Sequence, residues 1–379
     1  MRDVTALEGL LVADFSRVLA GPLVSMTLAD FGADVIKVEP PGGDETRSWS
    51  PPVDSEGRAT YFLTVNRNKK SVELNLKDED DLELARELIR RADVLVENFR
   101  PGTMDRLGLG YEDSAADNPG LIYCAVSGFG SKGGASLPGY DPLAQAMSGM
   151  MSVTGPRDGE PNKVGVALVD VMAGMNATIG VLVALREREK SGLGQKVESN
   201  LMSSALAALE NQAAAWLNAG EIPERLGNIH PSIEPFTTFD ASDGPIMVCV
   251  GNDHQFRALC EVIEEPELAD DPRYLRNVDR VRNRETLEEE LEDCFGHRTV
   301  DDWIATLEAA QVPVGPVNTI DKGFEAGEEL GLDPVDEIEG IRTPSSPISL
   351  SRTPAETRLP PPGENAHAEE IRAWLREGR

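Results

Sequence analysis

The chain has 379 residues, enough for a sizeable core and two domains. Its 66 acidic residues outnumber 36 basic ones, for a formal charge of −30 and a pI near 4.5. Such a surface repels nucleic acid and anionic membranes, which excludes both as partners.

The predicted elements alternate between short apolar runs and helical patterns. Leu10–Phe15 reads as a strand, followed by a helix from about Pro22 to Phe31. Val35–Val38 is a second strand, Asp81–Arg91 an amphipathic helix, Asp93–Phe99 a third strand and Leu121–Val126 a fourth. That order predicts an open, mostly parallel α/β sheet with ligands beyond the carboxyl ends of its strands. Lys163–Gly174 is an apolar, strand-like run with one carboxylate, Asp170, inside it, and it leads into a long helix from Val171 to Arg188. A Gly-rich break at Ser191–Gln195 precedes another helix over Leu201–Leu217. The pattern breaks near Gly220–Pro223. A second block then runs from Gly227 to about Val312, with a strand at Ile246–Val250 and helices at Asp253–Ile263 and Asp301–Ala310. Asp333–Pro362 is rich in Pro, Ser and Thr and reads as extended, before a terminal helix over Ala368–Arg376.

No basic stretch followed by an apolar core marks a secretory signal, and no run approaches the length of a membrane span. Cys124, Cys249, Cys260 and Cys294 lie far apart, as expected of reduced core thiols in a cytoplasmic protein. His230, His254, His297 and His367 lack metal-ligand spacing, so no metal is expected. An acidic, lysine-poor surface suits a cytoplasm full of salt, where high ionic strength screens its self-repulsion; the expected source is a halophile.

Asp170 stands out because a carboxylate among apolar residues costs free energy unless something pairs with it or chemistry uses it. The plain alternative is that it caps the helix that follows, accepting bonds from the first amides. Gly128-Phe129-Gly130-Ser131-Lys132-Gly133 matches the dinucleotide pattern G-x-G-x-x-G, but the chain continues into loop chemistry rather than a helix. No Walker-type loop or Gly-x-Ser-x-Gly elbow is present. What remains is a set of polar residues at strand ends: Arg17, Lys77, Asn98-Phe99, Arg106, Tyr140-Asp141 and Asp170. Singly, each reads as a solvated or turn-forming residue. Together, with three cations on a very acidic protein, they outline a pocket for a polyanion.

Longer motifs add to this. Leu7-Glu8-Gly9 leading to Asp14-Phe15-Ser16, then Ala20-Gly21-Pro22, Gly32–Glu39, Asn68–Ser71, Ala92–Gly102 and Ser191–Gln195, resemble the class III coenzyme A transferases. Gly227–Pro231 and Val312–Asn318 continue the likeness, which spans nearly the whole chain. The resemblance implies a Rossmann-like large domain built from residues 1–222 and 326–379, a smaller α/β domain over 223–325, and an interlocked homodimer. It aligns Asp170 with the nucleophile, whose carboxylate forms a mixed anhydride and then an aspartyl-CoA thioester. Arg17, Val18, Leu74, Lys77, Asn98, Phe99 and Arg106 fall where relatives contact the nucleotide and pantetheine of CoA, and phosphates favour such cations. Leu19, Tyr140, Asp141 and His230 are expected in the acceptor pocket. Leu19 departs from the oxalate- and formate-specific members, which carry glutamine there.

The same family contains α-methylacyl-CoA racemases, which need a base on each side of the α-carbon. Tyr140 stands where one racemase histidine would be, and the other falls near Phe129, so transfer is favoured over racemisation. A non-catalytic CoA-binding protein would be expected to have lost Asp170. Resemblance and composition together lead to the expectation of succinyl-CoA as donor and mesaconate or another C4–C5 dicarboxylate as acceptor. CoA then enters as a substrate, with no resident cofactor.

Overall fold

The apolar runs of the first two hundred residues assemble into one parallel sheet. The computed structural model describes residues 5–377. Its strands are β1 (Leu11–Asp14), β2 (Asp34–Glu39), β3 (Lys69–Glu73), β4 (Val94–Glu97), β5 (Ile122–Ser127) and β6 (Lys196–Asn200), in the order β3-β2-β1-β4-β5-β6. Every pairing is parallel. The chain winds outward from β1 through β2 to β3, then crosses back to β4 and proceeds the other way. The strand order therefore reverses between β1 and β4, which opens a crevice at their carboxyl ends.

Burial alternates across the sheet as the pleat requires. Val12, Val35, Val94, Val96, Ile122 and Cys124 face one layer, covered by helices α1 (Ala20–Asp30) and α4 (Leu168–Ser191). Ala13, Ile36, Val38, Leu95 and Tyr123 face the other, covered by α2 (Glu79–Arg91) and the C-terminal helix Ala368–Arg376. Asp78 caps α2, accepting from the amides of Asp80 and Asp81, so this helix starts earlier than its apolar periodicity suggests. Strands β3 and β6 were not expected. Lys-Lys-Ser-Val-Glu and Lys-Val-Glu-Ser-Asn look like loop, yet Lys69 is buried against Asp14, and β6 is an edge strand that needs only one apolar face.

The strand-like reading of Lys163–Gly174 is corrected: Leu168 already opens helix α4, and Asp170 lies in its first turn. Two β-branched residues flank Asp170, but packing against the sheet outweighs so weak a local preference. This helix is also long and apolar enough to match a membrane span, contrary to the reading of the sequence alone. Its inner face, with Val169, Ala173, Ala177, Val181 and Ala184, is buried in the sheet core. Met175, Ile179, Leu182 and Val183 lie exposed on the opposite side.

Contacts divide the chain into two units. The first runs up to Met150, resumes over Lys163–Glu221 and returns from Gly331 onward. Within it, Asp333–Pro362 is less plain than its composition suggests. It carries a hairpin, Val335–Ile338 with Ile341–Pro344, turned by Glu339 and Gly340, both with positive φ.

The second unit comprises Met151–Asn162 and Ile222–Leu330. Residues 151–162 thus group with it, although the sequence reading assigns them to the large domain. The cause is local: the amide of Gly227 donates to the carbonyl of Gly155 (3.1 Å), and Arg225 donates to that of Gly159 (2.9 Å). An antiparallel sheet of β7 (Phe236–Ala241), β8 (Gly244–Cys249) and β9 (Val314–Pro316) packs in this unit against helices Asp253–Val262, Arg284–Phe295 and Val300–Ala309. At its centre Phe239 stacks on Phe295, and Trp303 meets Phe295 at a tilt.

Candidate active site

The crevice at the strand-order reversal is built first by charges that never reach solvent. Strand β1 ends on Asp14, whose side chain is fully buried. Its carboxylate accepts from the amide and hydroxyl of Ser16, from Ser25 Oγ (2.5 Å) and from Lys69 Nζ (3.1 Å). Burial alone would raise its pKa. The charges of Lys69 and Lys37, with the two serine hydroxyls, outweigh that and hold it at about 2. Lys37 Nζ in turn donates to the carbonyl of Ser16 and to Asp44 Oδ2, each at 2.9 Å. Asp44 also accepts from the amide of Val18, which adopts a left-handed φ of 67°. A non-glycine residue holds that conformation only where its surroundings dictate it. Here the buried network fixes the loop Ser16–Leu19 over the crevice.

The second wall follows β4. Asn98 Oδ1 accepts from the amide of Arg17 (2.8 Å) and its Nδ2 donates to the carbonyl of Arg17 (2.7 Å), which ties the two loops together. The Arg17 guanidinium lies 5.4 Å from the Phe99 ring centroid and 3.7 Å from Glu45 Oε1. The third wall is the glycine loop after β5. At its base Gly128 and Gly139 pack backbone to backbone, where an added Cβ on Gly128 would stand 2.4 Å from the Cα of Gly139. No helix opens at these glycines; the next one, α3 (Asp141–Met147), starts only after the loop closes. Dinucleotide chemistry is therefore unsupported at this G-x-G-x-x-G, as the sequence suggested.

These walls enclose a cavity of about 170 Å³. Arg17, Val18, Leu19, Asn98, Phe99, Tyr140 and Asp170 line it together with Phe129 and Leu137. The expectation that Asp170 caps its own helix is corrected. The amides of Val169 (2.7 Å) and Asp170 (3.1 Å) both donate to Asp141 Oδ2, a carboxylate from α3. Asp141 is thereby a buried helix cap, taken up by backbone amides. The Asp170 carboxylate accepts no hydrogen bond among the described residues. Burial, and then the like charge of Asp141, push its pKa up to about 7.

The other expected residues lie outside this cavity. Leu74 is buried in the core under the sheet. Lys77 and Arg106 are exposed, both shortly after strand carboxyl ends, with Arg106 donating to Thr103 Oγ1 (3.1 Å). His230 belongs to the second unit, its ring 5.4 Å from that of Phe236 and its Nδ1 accepting from the amide of Ser232 (3.1 Å). Sequence reasoning missed Tyr61, Glu45 and Gln145. Tyr61 feels burial first and then the charge of Asp170, both of which raise its pKa, and its ring meets Trp49 edge-on at 4.9 Å. For Gln145 a signal existed: it stands four residues after Asp141, one helical turn on, and its Nε2 donates to Asp141 Oδ1 (2.5 Å).

Comparison with known proteins accords with this geometry. The model of CoA-transferase family III matches residues 7–368. Acetyl-CoA:oxalate CoA-transferase of Acetobacter aceti is 43% identical over 91% of the chain and 89% of its own length. Succinyl-CoA:glutarate CoA-transferase of Mus musculus is 40% identical over 96% of the chain and 85% of its own. Succinyl-CoA:mesaconate CoA-transferase of Haloarcula hispanica is 38% identical over 95% and 93%. Among solved structures, a CaiB/BaiF family protein from Brucella suis superposes with a TM-score of 0.90 at 41% identity, covering 98% of this chain and 99% of that one. A parallel sheet with a strand-order reversal, an unpaired carboxylate in the crevice and a family match over nearly the full length have one reading: the chain belongs to the class III coenzyme A transferases.

Proposed function

We propose that the protein moves CoA from succinyl-CoA to a C4–C5 dicarboxylate such as mesaconate, with Asp170 as the covalent nucleophile. One observation carries the reading: among the described residues no donor pairs the Asp170 carboxylate, and it faces a cavity walled by Arg17, Asn98 and Phe99. An Asp170 oxygen attacks the thioester carbonyl of the donor, and the C–S bond breaks to release CoA thiolate. The product is a mixed anhydride of succinate and Asp170. The thiolate then attacks the aspartyl carbonyl, the anhydride C–O bond breaks, succinate leaves, and an aspartyl-CoA thioester remains. The acceptor carboxylate repeats these steps in reverse order, and the carboxylate of Asp170 is regenerated with no net proton change.

Two of the relatives named above are named for succinyl-CoA, and all three for a dicarboxylate. Percentage identity does not rank their acceptors. Leu19 supports a larger one than oxalate, since it puts an apolar side chain on the cavity wall where an amide would serve a small diacid. A second copy of the chain is part of the proposal, as an interlocked homodimer in the cytoplasm. The exposed face of α4, with Met175, Ile179, Leu182 and Val183, is apolar enough to call for a partner. The test is kcat/KM for mesaconate, glutarate and oxalate against butyrate with succinyl-CoA as donor. Dicarboxylates should win by at least about a hundredfold, because donors built for a second carboxylate are left unpaired by butyrate. Butyrate turning over as well as mesaconate removes the dicarboxylate reading.

A further inference from the structure

The start of helix α4 is unusual in what it lacks. Its own N-cap residue, Ala167, offers no side-chain acceptor, so the first amides need one from elsewhere. The nearest carboxylate in sequence is that of Asp170, and the short way to satisfy those amides would be for it to fold back on them. Asp141 forestalls this. Its Oδ2 takes both amides, at 2.7 and 3.1 Å, and its Oδ1 takes Gln145 Nε2 at 2.5 Å. Gln145 Oε1 then accepts from the amide of Val164 at 2.8 Å, on the segment that leads into the helix. Asp141 and Gln145 are 4% and 0% exposed. All four oxygen and nitrogen atoms of this pair of side chains are engaged, and donation converges on Asp141: the Val164 amide donates to Gln145, Gln145 donates to Asp141, and the helix amides donate to Asp141.

We propose that Asp141, braced by Gln145, is a positioning residue for Asp170, taking the helix amides for itself and so leaving the carboxylate of Asp170 free to attack. The inference rests on Asp170 being the nucleophile. It assigns to Asp141 two effects at once. One is geometric, because the brace fixes the first helical turn on which Asp170 stands. The other is electrostatic. The charged and titratable groups around Asp170 are Asp141, whose carboxylate caps the same helix turn, Tyr61, and, on the cavity wall, Tyr140, Arg100 and Arg17, the last already paired with Glu45. After burial, Asp141 is the one that opposes ionisation of Asp170. A carboxylate denied both donors and countercharge is more basic, and basicity favours attack on a thioester carbonyl.

This fixed donor–acceptor order gives a specific test. Asp141→Asn keeps an acceptor for the helix amides, but its new amide must face a donor on Gln145, so one hydrogen bond of the brace is lost. Adding Gln145→Glu restores the pattern, since the glutamate accepts from both the new amide and Val164. The negative charge then sits one side chain further from Asp170. The double variant should melt near the wild-type temperature, while the acid limb of its kcat/KM profile moves down by about one pH unit. A carbon-13 titration of the Asp170 carboxyl in the free protein should show the same downward shift without turnover. Wild-type stability with an unmoved limb and an unmoved titration would make Asp141 a structural cap only, and would overturn the inference. Full turnover by Asp170→Asn would instead remove the nucleophile itself, and with it the proposed reaction.

Discussion

Asp14 and Asp170 stand at the same end of one sheet, the first fully buried and the second half-buried at the cavity, in opposite states. Asp14 is surrounded by donors: two serines and Lys69, with Lys37 close by, and it stays ionised to about pH 2. Asp170 has no hydrogen-bond donor among the described residues and a carboxylate for a neighbour, and its pKa rises to about 7. Burial pushes both upward, so burial does not distinguish them; the partners do. The saturated carboxylate holds a loop in place. The unsaturated one, a loop away, is left with its lone pairs for chemistry.

The contrast can be broken most directly at Asp170. Asp170→Asn should lower turnover by about four orders of magnitude or more while leaving CoA binding in place. Stability should move the other way. A carboxyl whose pKa is raised by folding contributes stability that is present below its unfolded pKa and lost as pH rises through its folded value. The asparagine variant should therefore melt above wild type at pH 8, by a margin that shrinks as pH falls toward 4. Equal melting curves at every pH would mean that Asp170 finds a partner in solution.

Lys69→Met attacks the other side of the contrast. It leaves Asp14 buried with one countercharge fewer, at a cost of about 3–5 kcal/mol. Urea denaturation measures it, and a loss under about 1 kcal/mol would show that Lys37 and the serines suffice. A gentler probe is the pH dependence of wild-type kcat/KM. It should rise about tenfold per unit up to pH near 7 and then level as Asp170 ionises. A limb near 4 would mean that the carboxylate acquires donors in the working enzyme. Least specific is salt. With a net charge of −30, melting should rise by several degrees between about 0.1 M and 2 M potassium chloride. Because buried pairs are screened little, that shift reports the surface and not the Asp14 network; no shift would remove the argument for a halophilic source.

The parallel sheet was readable from its apolar strands because Leu, Val and Ile runs separated by amphipathic helices have few other arrangements. The strand β3 was not, because Lys69 looks solvated until Asp14 is known to lie beneath it, and Lys70 does stay at the surface, paired with Glu370. Long-range pairing of buried charges leaves no periodic trace. At the site, Asp170, Arg17 and Asn98-Phe99 were legible as polar residues at strand ends or beside apolar runs. Asp141 was found but misassigned: its residue type signals a ligand or a cap equally, and which amides it meets depends on a helix 28 residues away. Tyr61 had no local signal at all. The second unit was read least well, since strand β7 and helix Arg284–Phe295 mix acidic residues with their core positions.

The backbone contact between Gly128 and Gly139 has a practical consequence. It clasps the ends of residues 129–138 together irrespective of what the chain does between them, in the manner of a compact surface loop whose anchor is separate from its contents. Strand β5 and helix α3 therefore keep their register when the stretch from Gly130 to Pro138 is exchanged for a longer or differently shaped one. Phe129 and Leu137, which meet the cavity, sit just inside that clasp. Swapping the loop between family members should therefore reshape the cavity wall at Phe129 and Leu137 while leaving Asp14 and Asp170 in place.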